Sequence, residues 1–272
     1  MKNTKTIHIF EIIEPSIENQ SDKRHETKLK NIDCWIDTQK RSESIQQPPS
    51  SIKIRYDPEF EYISNQQHSQ LSVHNMDTID CALLYEKPLV LNLADDIYPG
   101  GWVNIGSSAQ EESLFRRTNY HLTLTKNLYP IGKNDIIYSP NITILKTSRL
   151  ELYTEPFPQM DFIACPAIKY PLLEDDGSLS EEDSEILEMK IKTILQVAIK
   201  YGYKAIVFGA MGCGAWQNPT EDVANIFKNV LHRYDGLVQN YVFAILNDII
   251  SDTDSENETE SNYEVFKNIL EG

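Results

Sequence analysis

The chain has 272 residues, with 41 acidic against 25 basic side chains and a formal net charge of −16. That balance excludes general nucleic-acid binding, which needs a basic footprint, and 40% hydrophobic with 24% charged residues excludes wholesale disorder. No apolar run nears the ~20 residues of a membrane helix, and residues 1–13 lack a signal peptide's apolar stretch and cleavage site, so the reading is a cytoplasmic or nuclear protein with no membrane partner. Residues 7–13 read as a strand or a short helix. Residues 21–47 place Leu29, Ile32, Trp35 and Ile36 at near-helical spacing among Lys, Arg, Glu and Gln, which predicts an amphipathic helix. Gln46-Gln47-Pro48-Pro49-Ser50-Ser51 is a break, and 52–56 reads as a strand.

From Leu71 the pattern alternates between strands and helices. Strands are predicted at 71–74, 89–94, 136–138, 142–145, 162–165, 205–208 and 238–246. Helices are predicted at 78–85 behind an Asp77 cap, at 109–124, at 181–201 behind Ser180, and at 219–232. Residues 251–262 are acidic and Ser-rich, as in a linker, and 263–270 reads as a last short helix. This order predicts a three-layer α/β domain over 71–250, an N-terminal extension over 1–70, and an acidic linker with a C-terminal helix over 251–272.

Ligands of such sheets bind beyond the carboxyl ends of the strands. Two glycine-bearing loops fall there. The first runs through Asn92, Asp95, Gly100, Gly101 and Trp102, and the second reads Gly209-Ala210-Met211-Gly212-Cys213-Gly214-Ala215-Trp216. Glycine lets a backbone approach a ligand and present N–H groups to an anion. A Gly-Gly pair alone also reads as an ordinary strand-to-helix turn. The second loop, between a strand and a helix, is the better phosphate cradle, though it is neither a dinucleotide fingerprint nor a Walker loop. Trp216 reads equally as a base-stacking platform or a core aromatic.

Gln110-Glu111-Glu112 opens a predicted helix. Adjacent helix residues point ~100° apart, so one carboxylate would orient a substrate while the other reacts. The alternative is a pair of favourable first-turn acids on a solvated face. Arg116 and Arg117 would meet a phosphate or, more simply, form an ion pair. The six histidines are scattered. Cys34, Cys81, Cys165 and Cys213 form no C-x-x-C pair, so neither a zinc site nor a disulfide framework is expected, and neither metal nor cofactor is assigned.

The string Pro-Gly-Gly-x(8)-Gln-Glu-Glu-Ser-Leu, followed by Gly-Ala-x-Gly-Cys-Gly-Ala-aromatic, resembles the microbial-type poly(ADP-ribose) glycohydrolase family, a branch of the macrodomain fold. Asn75–Thr78, Leu91–Ala94, Tyr138–Ile142 and Ile163–Ala167 resemble further landmarks in the same order. The resemblance implies a mixed sheet between helices, with ADP-ribose across its crest. It implies that Glu112 is catalytic, that Gln110 and Glu111 hold the terminal ribose, and that Asn92 lies beside it. It also implies that Gly100 and Gly101 form the glycine loop, that Gly212, Cys213, Gly214 and Ala215 hold the diphosphate, and that Trp216 is near the ligand. Trp102 stands where the family carries a third glycine, so it either swings out of the cleft or reshapes the floor beneath the ribose. Asp95 would add a carboxylate there or serve as a turn residue. The implied partner is ADP-ribose, or an ADP-ribosylated protein or polymer, met by a monomer. The alternatives are a reader that binds without hydrolysis, a mono-ADP-ribosyl-acceptor hydrolase, and an acidic interaction protein.

Overall fold

The structure is a computed structural model that describes residues 17–63, 67–247 and 260–272, with side chains from Asp22 onward. The segment 7–13 and the acidic stretch 251–259 lie outside the described residues.

Among the described residues, seven strands form one sheet: β1 (Ile52–Arg55), β2 (Gln70–His74), β3 (Pro88–Asn92), β4 (Asp135–Thr143), β5 (Gln159–Ala164), β6 (Ala205–Phe208) and β7 (Asn240–Ala244). Their spatial order is β1-β4-β5-β3-β6-β7-β2. The pairs from β5 through β3, β6 and β7 to β2 are parallel, and only β4 runs against the rest. β3 is apolar on both faces because both are covered. Leu89 and Leu91 face one layer, while Val90 faces the other. The first layer contains α4 (Glu181–Tyr201), α5 (Thr220–Arg233) and α6 (Asn262–Glu271). The second contains α1 (Ile17–Ser42), α2 (Thr78–Ala82) and α3 (Gln110–Arg117).

Local chemistry sets several boundaries. Asp77 accepts hydrogen bonds from the amides of Ile79 and Asp80 and starts α2, Ser180 caps α4, and left-handed Gly202 ends it. Ser261 and Glu264 form a capping box on α6. From there α6 places fully buried Phe266 against Phe227 and Phe243, and Glu271 Oε1 accepts the Val73 amide of β2 at 2.7 Å.

Three sequence expectations change. α3 ends at Arg117 rather than near 124, because Thr118 is extended and bridges to Ile144, while the Leu145 amide donates to Arg117 O. Residues 136–145 hold one strand, not two. β4 runs through Pro140 by a register shift between Ser139 and Ile142, with Asn141 at a positive φ of 55°. The stripe expected on α1 is rotated: Leu29 and Ile36 are exposed, while Asn31, Cys34, Trp35, Thr38 and Ser42 form the buried face. Its polar members are satisfied in place. Thr38 and Cys34 both donate to Arg116 O, and Asn31 donates to Gly106 O at 2.9 Å.

Candidate active site

The loops after β3, β5 and β6 emerge side by side at the carboxyl edge of the sheet, since β5, β3 and β6 are neighbours and parallel. Helix α3 leans its first turn over the end of β3. Gln110 fastens it there. Its Oε1 accepts the Leu93 amide at 2.9 Å, and its Nε2 donates to Leu91 O at 2.7 Å and Thr78 Oγ1 at 3.3 Å. Gln110 thus spends its amide on the strand end rather than presenting it to a ligand.

Glu111 and Glu112 are 3% and 5% exposed, so neither lies on a solvated face. They also converge more than a ~100° separation suggests. A Cβ placed on Gly101, whose φ is +53°, would lie 2.6 Å from Glu112 Oε1 and 3.3 Å from Glu111 Oε2. A Cβ on Gly100, at φ +77°, would overlap the Phe115 ring. These two glycines are required because the loop is wrapped onto the acids.

The two acids differ in their surroundings. Glu111 Oε1 accepts from Asn92 Nδ2 and the Gly100 amide, both at 3.2 Å, and Oε2 accepts the Asp95 amide at 2.7 Å. Burial pushes its carboxyl up to about 8; the Glu112 charge adds to the rise, and the Asp95, Asn92 and Gly100 donors oppose it. Glu112 Oε1 accepts only the Trp102 amide, at 2.9 Å, and among the described residues Oε2 accepts nothing. Glu111 is therefore a fixed, largely protonated acid below about pH 8. Glu112 keeps an oxygen free for chemistry.

Trp102 resolves the missing third glycine. Its φ is −104°, a value open to any residue, so the backbone needs no glycine here. Its amide still reaches Glu112, and its side chain is 57% exposed, with the ring 5.7 Å from Tyr98. Asp95 is a turn residue: Oδ1 accepts the amides of Ile97 and Tyr98, and Oδ2 pairs with Lys169. Fully buried Asn92 leaves its Oδ1 unpartnered.

The second loop folds on Asn218. Its Nδ2 donates to Ile168 O at 2.7 Å, Gly212 O at 3.2 Å and Trp216 O at 3.3 Å. Gly212, at φ +79°, has no room for a Cβ, which would lie 2.6 Å from Asn218 Nδ2. Gly209 admits Leu93, whereas Gly214 faces open space. The amides of Gly212, Gly214, Ala215 and Trp216 donate to no other group among the described residues. That row of free N–H groups suits an anion. Cys213 is packed, and burial pushes its thiol up to about 12, so it is no nucleophile at neutral pH.

Lys169 was not singled out from the sequence. It follows β5, pairs with Asp95 Oδ2 at 3.2 Å and Asp96 Oδ1 at 3.0 Å, and sits 5.0 Å from the Trp216 ring centroid. It spans the two glycine loops. The carboxyl-edge rule, applied to β5 as well, would have found it. The arginines do not face this cleft as phosphate ligands. Arg117, 1% exposed, holds Asp77 and Asp80 at 2.8 and 3.2 Å, and Arg116 donates to Ser107 O. Among the described residues, no helix is long and apolar enough to cross a membrane, and no group of three or more His, Cys, Asp or Glu could hold a metal ion.

The family description "Microbial-type PARG, catalytic domain" matches residues 16–147. The poly(ADP-ribose) glycohydrolase of Thermomonospora curvata is similar in structure, with a TM-score of 0.75, 20% identity, and coverage of 88% of this chain and 99% of that one. Its complex with the inhibitor ADP-HPD gives a TM-score of 0.72 at 19% identity, over 88% and 98% of the two chains. The Deinococcus radiodurans poly(ADP-ribose) glycohydrolase in complex with ADP-ribose gives 0.63 at 20% identity, over 91% and 92%. No curated protein sequence matches the chain significantly. Residues 16–147 thus match the microbial-type PARG catalytic-domain description, and the chain has the fold of those solved glycohydrolases.

Proposed function

We propose that this protein is an ADP-ribosyl glycohydrolase in which Glu112 is the general acid and base. The observation that carries the reading is the convergence of two buried carboxyls on Gly101, one fixed by three donors and the other holding a single amide. The free amides of Gly212, Gly214 and Ala215 hold the diphosphate, with Lys169 beside it. The terminal ribose lies between that anchor and α3. Anchoring the remote diphosphate places the anomeric carbon against Glu112.

In this reading Glu112 donates its proton to the leaving oxygen as the anomeric C–O bond breaks through an oxocarbenium-like transition state. The acceptor leaves as an alcohol. Glu112, now a carboxylate, takes a proton from the water whose oxygen bonds to the anomeric carbon. The products are ADP-ribose and the free hydroxyl of the acceptor, and Glu112 ends protonated as it began. Glu111 does not react; it sets the ribose position and holds the glycine loop. The substrate is poly(ADP-ribose) or an ADP-ribosylated acceptor, met by a single copy of the chain in the cytoplasm or nucleus.

A reader without hydrolysis is disfavoured by the Trp102 geometry, because the side chain leaves the cleft while its amide still holds Glu112. Glu112→Gln tests the assignment. ADP-ribose release is expected to fall at least about a hundredfold, while ADP-ribose binding and the melting temperature persist. Wild-type turnover in the folded variant would overturn it.

A further inference from the structure

Trp102 is the oddity of the site. Trp35 is buried and Trp216 half-buried, whereas Trp102 lies open beside the proposed catalytic acid. Tyr98 and Ile105 are also exposed next to it in the chain. An exposed apolar cluster next to a polar site marks a contact surface. Trp102 and Ile105 line a cleft of about 440 Å³ with Lys28, Gly106, Ser107 and Ser108. That size falls within the usual range of small-molecule sites, roughly 300–1,000 Å³.

The cleft is built by specific contacts between α1 and the glycine loop. Gly106 has a φ of +79°, and a Cβ there would overlap the Lys28 carbonyl. Asn31 Nδ2 donates to Gly106 O at 2.9 Å and to Ser108 Oγ at 3.2 Å, and Trp35 Nε1 donates to Asn104 Oδ1 at 2.8 Å. These locks fix the helix that carries Lys28 against the loop that carries Trp102. The same loop is tied to Glu112 through the Trp102 amide at 2.9 Å.

We propose that this cleft is a leaving-side subsite for the next nucleotide unit of an ADP-ribose polymer, whose adenine stacks on Trp102 and whose phosphate meets Lys28. The inference rests on the glycohydrolase reading above. In the polymer the leaving oxygen is a ribose hydroxyl of the neighbouring adenosine. The base is carried by the adjacent carbon of that ring, three bonds from the oxygen that Glu112 protonates. The Trp102 ring, carried by the residue whose backbone amide holds Glu112, is the exposed aromatic face offered to that base. Lys28 supplies the cation that the next phosphate needs in a chain of net charge −16. A ribose attached to a protein side chain brings no purine to this position. Trp102 is thus a specificity residue that favours polymer.

Two measurements test this. First, kcat/KM is determined on poly(ADP-ribose) and on a mono-ADP-ribosylated protein for wild type, Trp102→Ala, Trp102→Phe and Lys28→Glu. The polymer-to-mono ratio is expected to fall about tenfold in Trp102→Ala, the scale of one lost base–aromatic stack, to recover partly in Trp102→Phe, and to fall in Lys28→Glu. An equal fall on both substrates would overturn the proposal, because Trp102 would then act only through Glu112. An unchanged ratio, or a wild type that prefers the mono-acceptor, would overturn it too. Second, binding of an ADP-ribose dimer is compared with binding of ADP-ribose in Glu112→Gln, or in wild type if wild type leaves the polymer intact. The dimer is expected to bind about tenfold more tightly, and Trp102→Ala to erase the difference. Equal affinities would overturn the subsite even in an active enzyme. A dimer preference in a protein that hydrolyses nothing would instead overturn the glycohydrolase reading and leave the subsite standing.

Discussion

The two glycine loops use the same residue for opposite ends. In the loop after β3, Gly100 and Gly101 make room for the protein itself: the Phe115 ring fills one place and the two carboxyls border the other. In the loop after β6, Gly212 is likewise packed, but Gly214 has nothing within 4 Å and neighbours a row of unused amides. The first loop encloses chemistry; the second leaves a vacancy of donors for an anion. A count of glycines does not distinguish them. What a Cβ would touch does.

That contrast can be broken or sharpened by experiment. The largest effect belongs to the enclosed acid. The folded pKa of Glu111 is raised to about 8, chiefly by burial, above an unfolded value near ~4.3. The unfolded chain therefore releases this proton first as pH rises. The contribution to stability is fully present below about pH 4 and is lost progressively up to about pH 8, a decline on the order of a few kcal/mol. Denaturant titrations across that window should show the decline in wild type and a flatter profile in Glu111→Gln. Equal profiles would mean that the first loop does not hold a dry acid.

Next comes Gly101→Ala. The added carbon would press on Glu112 Oε1 at a positive φ, so stability should fall by about 1–3 kcal/mol and turnover by roughly a hundredfold, as expected when a reacting group is misplaced by about an ångström. Gly214→Ala is the matched control for the other loop. Its carbon meets nothing in the free protein, so the melting temperature should hardly move. ADP-ribose affinity measured by calorimetry should nonetheless drop about tenfold, near 1.4 kcal/mol. A stability loss there, or an unchanged affinity, would erase the distinction between the loops. The smallest effect is Lys169→Ala. Its exposed ion pairs are worth no more than about 1 kcal/mol, and the expected result is a few-fold weaker ADP-ribose binding that narrows further as salt is raised.

Much of this was legible in the chain. The buried strand runs, the Asp77 and Ser180 caps and the two glycine loops follow from local patterns, and these place the carboxyl edge of the sheet. The misread segments are those where distant backbone overrides local preference. Residues 118–124 carry a helical pattern, but Thr118 is pulled out to pair with Ile144, and its hydroxyl closes the helix on Leu114 O. The strands expected at 136–138 and 142–145 join because a bulge absorbs Pro140, with the Asn141 amide held by Asp161. On α1 Leu29 and Ile36 stay exposed while Asn31 and Thr38 are buried beside Trp35, because the partner of α1 is a polar-lined seam that accepts Asn31 and Thr38 through hydrogen bonds. At the site, Gln110 and Asp95 stand out in the sequence, and their side chains brace the loop. Lys169 and Asn218 carry no motif. Only the meeting of three loops gives them a role.

The way α6 closes the sheet has a consequence for synthesis. Among the described residues β2 is an edge strand with β7 as its strand neighbour, and its Val73 amide is held by Glu271, 198 residues further along the chain. At roughly 5–20 residues per second, a ribosome needs about 10–40 s to make that interval. Residues 70–74 have no strand to pair with until β7 is made, and the Val73 amide has no carboxylate to bond until Glu271 follows. The fold thus gives molecular chaperones a defined substrate and a defined interval in which to bind it.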